Sequence, residues 1–179
     1  MKLHRIAVSI SVMLFALAPA AHAKGAKADV YLGYSRAGAN LYQANTPGMN
    51  GWQISAHIKP IPFVGIEGDV SHYSESPSGF SQQVTLIMFG PRVTVHAAGV
   101  SLFVHGLAGV VHDNATVTIY PEVGYNATSY ALGGGADLPL FLGLKLRATG
   151  DYLGNSKAPS SGSPSPQHYR FGVGVAYHF

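Results

Sequence analysis

Residues 170–179 read RFGVGVAYHF. Arg170, Gly172, Gly174, Ala176 and His178 form one row; Phe171, Val173, Val175, Tyr177 and Phe179 form the other. Successive side chains of an extended chain point to opposite faces, so this stretch is a strand with one small or polar face and one bulky apolar face. The same period recurs upstream in DVYLGYSRA (29–37), GWQISAHIK (51–59), FVGIEGDVSHY (63–73), VTLIMFGPRVTVH (84–96), VSLFVHGLAGVVH (100–112), SYALGGGADL (129–138) and LGLKLRATGDY (142–152). With the terminal strand, which starts near His168, this predicts eight strands and no long helix.

The breaks between these stretches alternate in length. Pro60-Ile61-Pro62, Ala97-Ala98-Gly99 and Pro139-Leu140-Phe141 are short turns. Residues 38–50, 74–83, 113–128 and 154–167 are longer and rich in Gly, Ser, Pro and Asn. Short turns at one end and long loops at the other describe an all-β, eight-stranded, antiparallel up-and-down barrel.

Two solvents fit this alternation. A soluble, lipocalin-like barrel turns its apolar row inward; a membrane barrel turns it toward lipid. Glu67, Asp69, Asp137, Lys145, Arg147, Asp151 and Arg170 all lie opposite the bulky row, and Arg92 joins them. In a membrane barrel these charges converge in the lumen, because a cation facing lipid at midplane costs roughly 2–4 kcal/mol. In a soluble barrel they sit in water, so charge alone does not decide. Three other features favour lipid. Gly and Ala crowd the polar row, as in Ala131, Gly133 and Gly135. Charged residues make up only 11% of the chain, low for a soluble surface. Aromatic residues gather near strand ends (Tyr34, Trp52, Tyr73, Tyr130, Tyr152, Tyr169, Tyr177 and Phe179), where the two interfaces of a bilayer favour them.

The first residues agree with export. Lys2 and Arg5 precede an apolar run from Ile6 to Leu17, and Ala21-His22-Ala23 fits the small-x-small cleavage pattern. Residues 1–23 are expected to be a signal peptide and 24–179 the barrel. Removing Lys2 and Arg5 from eleven basic residues leaves nine against eight acidic ones, a balance of +1. Charge therefore gives no support to nucleic-acid binding. There is no cysteine, so no disulfide holds the domain.

With signal, strand count and terminal motif in view, residues 29–179 resemble the bacterial outer-membrane barrels, in particular the small eight-stranded barrels of the outer membrane protein A and X type. The resemblance implies location in the bacterial outer membrane, among lipid and lipopolysaccharide. It implies that Tyr177 and Phe179 form the C-terminal signal read by the barrel-assembly machinery. The peptidoglycan-binding domain of full-length outer membrane protein A is not expected here. The four longer loops are the expected points of contact with surface ligands, and the lumen is expected to be plugged by its charges, Glu67 and Asp69 pairing with Arg92, Lys145, Arg147 or Arg170.

Strand 84–96 leaves its facing open. With Arg92 and Thr94 inward, Val84, Leu86 and Met88 are also inward and unusually apolar, unless a bulge at Gly90-Pro91 swaps the faces. No catalytic site is expected; the alternative, an enzyme acting on lipid A, would rest on His72-Tyr73-Ser74 with Glu75, since some outer-membrane lipid A deacylases carry a His-x-Ser pair oriented by a Glu, although that family has it in the last third of the chain and here it ends the third strand, where it reads as rim and loop polarity. His57 and His105 fall on the lumen side, and His96 and His178 near the turn end, as polar fillers without the convergence a metal needs. No cofactor motif is present. Asn114-Ala115-Thr116 and Asn126-Ala127-Thr128 match the glycosylation sequon but read as loop.

Overall fold

A computed structural model describes residues 27–39, 48–75, 80–117, 120–155 and 168–179. The expected signal peptide, 1–23, lies outside the described residues, as do 40–47, 76–79, 118–119 and 156–167 of the expected loops. Eight strands form one closed barrel: β1 (Lys27–Ala39), β2 (Met49–Ile61), β3 (Val64–Glu75), β4 (Phe80–Ala97), β5 (Val100–Val117), β6 (Tyr120–Pro139), β7 (Leu144–Asn155) and β8 (His168–His178). Each pairs antiparallel with its sequence neighbour, and β8 closes onto β1 with Leu32 opposite Val175. Phe179 N–H donates to the Ala28 carbonyl at 3.0 Å, and Ala28 N–H to Phe179 at 3.1 Å, so the final residue takes part in closure. Within the cylinder every strand is paired on both sides, which is how a sheet survives in a medium without water.

The turns follow from local chemistry. Ala98 and Gly99 both have positive φ, 50° and 81°, the backbone of a two-residue hairpin matching strand twist. Leu142 and Gly143 repeat the pair at 51° and 80° between β6 and β7. Leu142 is therefore a turn residue, and β7 begins two residues later than its alternation suggests.

The alternation sorts as a membrane barrel requires. Val173 on the outer wall is 50% exposed and Arg147 in the lumen 1%. Leu32, Ile66, Phe89, Val104 and Leu132 are likewise exposed outward. The lipocalin-like arrangement is thereby excluded.

One expectation needs correction, and one question left open by the sequence is answered. Residues 113–128 are mostly strand, because β5 and β6 run on as a paired hairpin with Asn114 opposite Gly124 and Val117 opposite Tyr120. Asn114 and Asn126 thus lie in strands. In β4 no face swap occurs. Leu86, Met88, Arg92 and Thr94 are all buried inside, and Ile87, Phe89, Val93 and Val95 all face out. The β3–β4 register runs unbroken through Gly90 and Pro91. The β4–β5 offset is the same on both sides of them, although Pro91 has no N–H to give. A Cβ on Gly90 would lie 2.0 Å from the Gly106 carbonyl oxygen, so glycine is what allows the strands to approach there.

Leu86 and Met88 are accommodated because neighbouring strands match them. With Ala37, Tyr73, Leu107, Val111, Ala127, Ala131 and Leu153 they form a buried apolar cluster, flanked by Met49 and Val84. It fills the loop-end half of the lumen; the charges lie toward the turns.

Candidate functional site

Every strand contributes to a buried polar cluster below that apolar layer. Arg170 of β8 donates from Nε to Asp151 of β7 at 2.6 Å and from Nη1 to Asp69 of β3 at 2.7 Å and Ser71 at 3.0 Å. Gln53 of β2 donates to the other oxygen of Asp69 at 2.6 Å. Arg147 of β7 forks onto Asp137 of β6 at 2.7 and 2.8 Å, and its Nη2 also reaches Asp29 of β1 at 2.6 Å. Such two-pronged contacts fix geometry as well as charge. His105 of β5 sits between Glu67 at 2.8 Å and Asp151 at 2.8 Å, one ring nitrogen on each carboxylate. With both carboxylates ionised, both contacts are hydrogen bonds only when both nitrogens carry protons. His57 meets Asp29 at 3.0 Å.

Arg92 of β4 is held more loosely. Its guanidinium lies 3.6 Å over the Phe103 ring, with Glu67 and Asp137 each 3.6 Å away and Asp29 at 3.9 Å. The ring face replaces part of the charge compensation that distance removes.

The structure thus places Glu67, Asp69, Arg92, Asp137, Arg147, Asp151 and Arg170 in one cluster. Lys145 is not in it: half-buried at the turn end, it has no ion pair among the described residues. Asp29 and the bridging role of His105 escaped the sequence reading. Asp29 was legible as the residue opposite Val30, yet it opens its stretch, where facing is easily passed over. His105 was placed in the lumen, but not as the bridge between two acids. Counting Asp29, five carboxylates face three arginines, and His57 and His105 lie within hydrogen-bond distance of three of the carboxylates.

Of the alternative set His72, Ser74 and Glu75, only two share a face of β3. His72 and Ser74 share the outer face of β3, whereas Glu75 falls in the row of the buried Tyr73. His72 Nδ1 meets Thr85 Oγ1 at 2.9 Å, so a threonine takes the orienting position. Among the described residues no group of three or more His, Asp or Glu side chains is arranged to hold a metal ion. Tyr177 and Phe179 point outward, rings 5.9 Å apart, at the turn-end rim.

Known proteins match this geometry. The chain superposes on neisserial surface protein A with a TM-score of 0.66 at 13% identity, covering 87% of this chain and 97% of that one. A major outer membrane protein of Thermus thermophilus gives 0.61 at 14% identity, with 87% and 100% covered. Ail, the attachment invasion locus protein of Yersinia pestis, in complex with the heparin analogue sucrose octasulfate, gives 0.60 at 18% identity, with 86% and 99% covered. At these identities the likeness is one of fold. No curated protein sequence matches the chain. The family model described as the outer membrane protein beta-barrel domain matches residues 7–179. The chain therefore belongs to the outer membrane protein beta-barrel family, a barrel of the bacterial outer membrane with its short turns toward the periplasm.

Proposed function

We propose that the protein is a closed surface barrel that acts through contacts made by its loop end, in adhesion or in binding other envelope components, and not by conduction or catalysis. The observation that carries this reading is the filled lumen, with a charge cluster drawn from all eight strands below a buried apolar layer. An eight-stranded cylinder is only wide enough for side chains. What remains to meet a partner is the exterior, and among the described residues β5 and β6 are its longest pair of neighbouring strands. The 18- and 20-residue strands of that hairpin contrast with 11–13 residues in β1, β2, β3, β7 and β8. Residues 120–129 run past the interfacial Tyr130, roughly 30 Å at the rise of an extended chain.

The chemistry available at that hairpin is sparse in charge. Residues 116–125 read TVTIYPEVGY, with one charge. A partner is therefore held by hydrogen bonds and tyrosine contacts, unlike the anionic heparin analogue carried by the Yersinia protein. Lipopolysaccharide and host-surface molecules are the candidate partners, and β8 is the segment offered to the assembly machinery. To test this, residues 116–122 are replaced by Asn-Gly, and whole-cell adhesion is measured with bilayer conductance of the purified barrel. The reading predicts adhesion at background level in cells bearing the shortened hairpin, and no large steady current from either form. Unchanged adhesion, or a large steady conductance, contradicts it.

A further inference from the structure

The periplasmic mouth carries cations that the lumen cluster does not use. Lys27, Lys59, His96, Lys145 and His178 line one cavity of ≈ 50 Å³ together with Asp29, His57, Arg92, Thr94 and Asp137. Three features of this cavity point to an anion. First, Lys27 stands directly opposite Lys59 in the β1–β2 register. Like charges directly opposite on a sheet repel, and no ion pair offsets it: none of the three lysines has one among the described residues.

Second, the floor is built from buried polar groups left without hydrogen-bond partners. Thr94 Oγ1 and Arg92 Nε and Nη1 lack one, although Thr94 is 5% exposed and Arg92 1%. Buried polar atoms normally find partners, so an unmet set facing a polar cavity asks for a ligand or water. Third, the charge count is specific. Three lysines (Lys27, Lys59, Lys145) line the cavity beside two carboxylates (Asp29, Asp137), Arg92 already facing Glu67 and Asp137 within the lumen cluster. Both carboxylates are already engaged by Arg147. The volume holds about three or four waters, or one tetrahedral oxyanion.

An apolar groove adjoins it. Lys27, Lys59 and His96 also border a cavity of ≈ 280 Å³ lined by Ile61, Pro62 and Phe63. Ile61 and Phe63 are 57% and 58% exposed, at the end of β2 and in the turn that follows it. A phosphate beside an acyl surface is the chemistry of an anionic phospholipid. We propose that the periplasmic mouth binds a phosphate group, presented by an anionic phospholipid of the periplasm-facing leaflet, with Lys27, Lys59 and Lys145 holding the charge and Ile61 and Phe63 the acyl chain. This site is independent of the loop-end function.

The test uses the full-length protein folded in a maltoside detergent and titrated separately with inorganic phosphate, dihexanoyl phosphatidylglycerol and dihexanoyl phosphatidylcholine, followed by amide shifts of residues 27, 59 and 145. Phosphatidylglycerol is expected to give saturable shifts and to bind at least about fivefold tighter than the other two probes, each lysine near a membrane surface contributing about that factor. Lys59→Gln and Lys145→Gln each weaken it about fivefold, Lys59→Arg retains it, and Arg36→Gln at the loop end leaves it unchanged. Equal binding of inorganic phosphate overturns the lipid assignment. No saturable shift in protein that still migrates as a folded barrel on unheated gels overturns the site, as does binding indifferent to the lysine substitutions.

Discussion

At the scale of single residues the lumen is a set of mutual obligations. Arg170 is fully buried and serves Asp69 and Asp151 at once, so neither acid can lose it without becoming an unpaired charge in a dry interior. Removing one partner of a buried pair is far more costly than replacing the whole pair by apolar groups. Arg170→Met is therefore expected to lower stability by about 3–5 kcal/mol in urea unfolding from lipid vesicles, and adding Asp69→Asn and Asp151→Asn to recover part of that loss. A loss below about 1 kcal/mol for the single variant contradicts the pairing. Alternation alone puts Arg170 and both acids on the inner face, so the sequence makes this cluster's membership largely legible. Its connectivity is not legible. Which acid an arginine reaches depends on the stagger between strands far apart in sequence, and Arg147 turns to Asp29 across 118 positions rather than to the acids of β3. Lys145 shows the other limit, since facing inward does not place a side chain at the depth where the acids lie.

At the scale of the element, β4 carries the most information. Its sequence is apolar on both faces over 84–89, which hides the period on which a strand's facing depends. The ambiguity is resolved by the partners Leu107, Val111 and Leu153, which no local pattern links to Leu86 and Met88. Phe89, 69% exposed on the outer wall, is expected to meet lipid. Phe89→Arg should cost about 2–4 kcal/mol in bilayer refolding, and more than Phe89→Ala, because the cation must be carried into hydrocarbon. An Arg tolerated as well as Ala would place Phe89 away from lipid. The β5–β6 hairpin was obscured for a different reason. Gly124 and Asn114 are turn and loop residues by habit, yet pairing with each other across the strands holds them in an extended ladder.

At the scale of the whole molecule, one rule governs both the structure and its surroundings: bulky apolar side chains line the outer wall, and the interior keeps its charges by pairing them. The rule was legible in the last ten residues because β8 alternates without interruption and its inner row is small. Closure, strand number and the position of the turns follow from the same period. The division of the lumen into an apolar half and a charged half does not, since it requires knowing which rows share a depth. The chain has no cysteine, so any introduced thiol is unique, and the rule can be examined one residue at a time. The most direct measurement is a nitroxide scan of positions 171–177 in lipid vesicles, reading collision with dissolved oxygen. Oxygen accessibility is expected to peak at 171, 173, 175 and 177 and to fall at 172, 174 and 176; peaks at the even positions, or no period of two, would contradict the assignment of faces on which everything else depends.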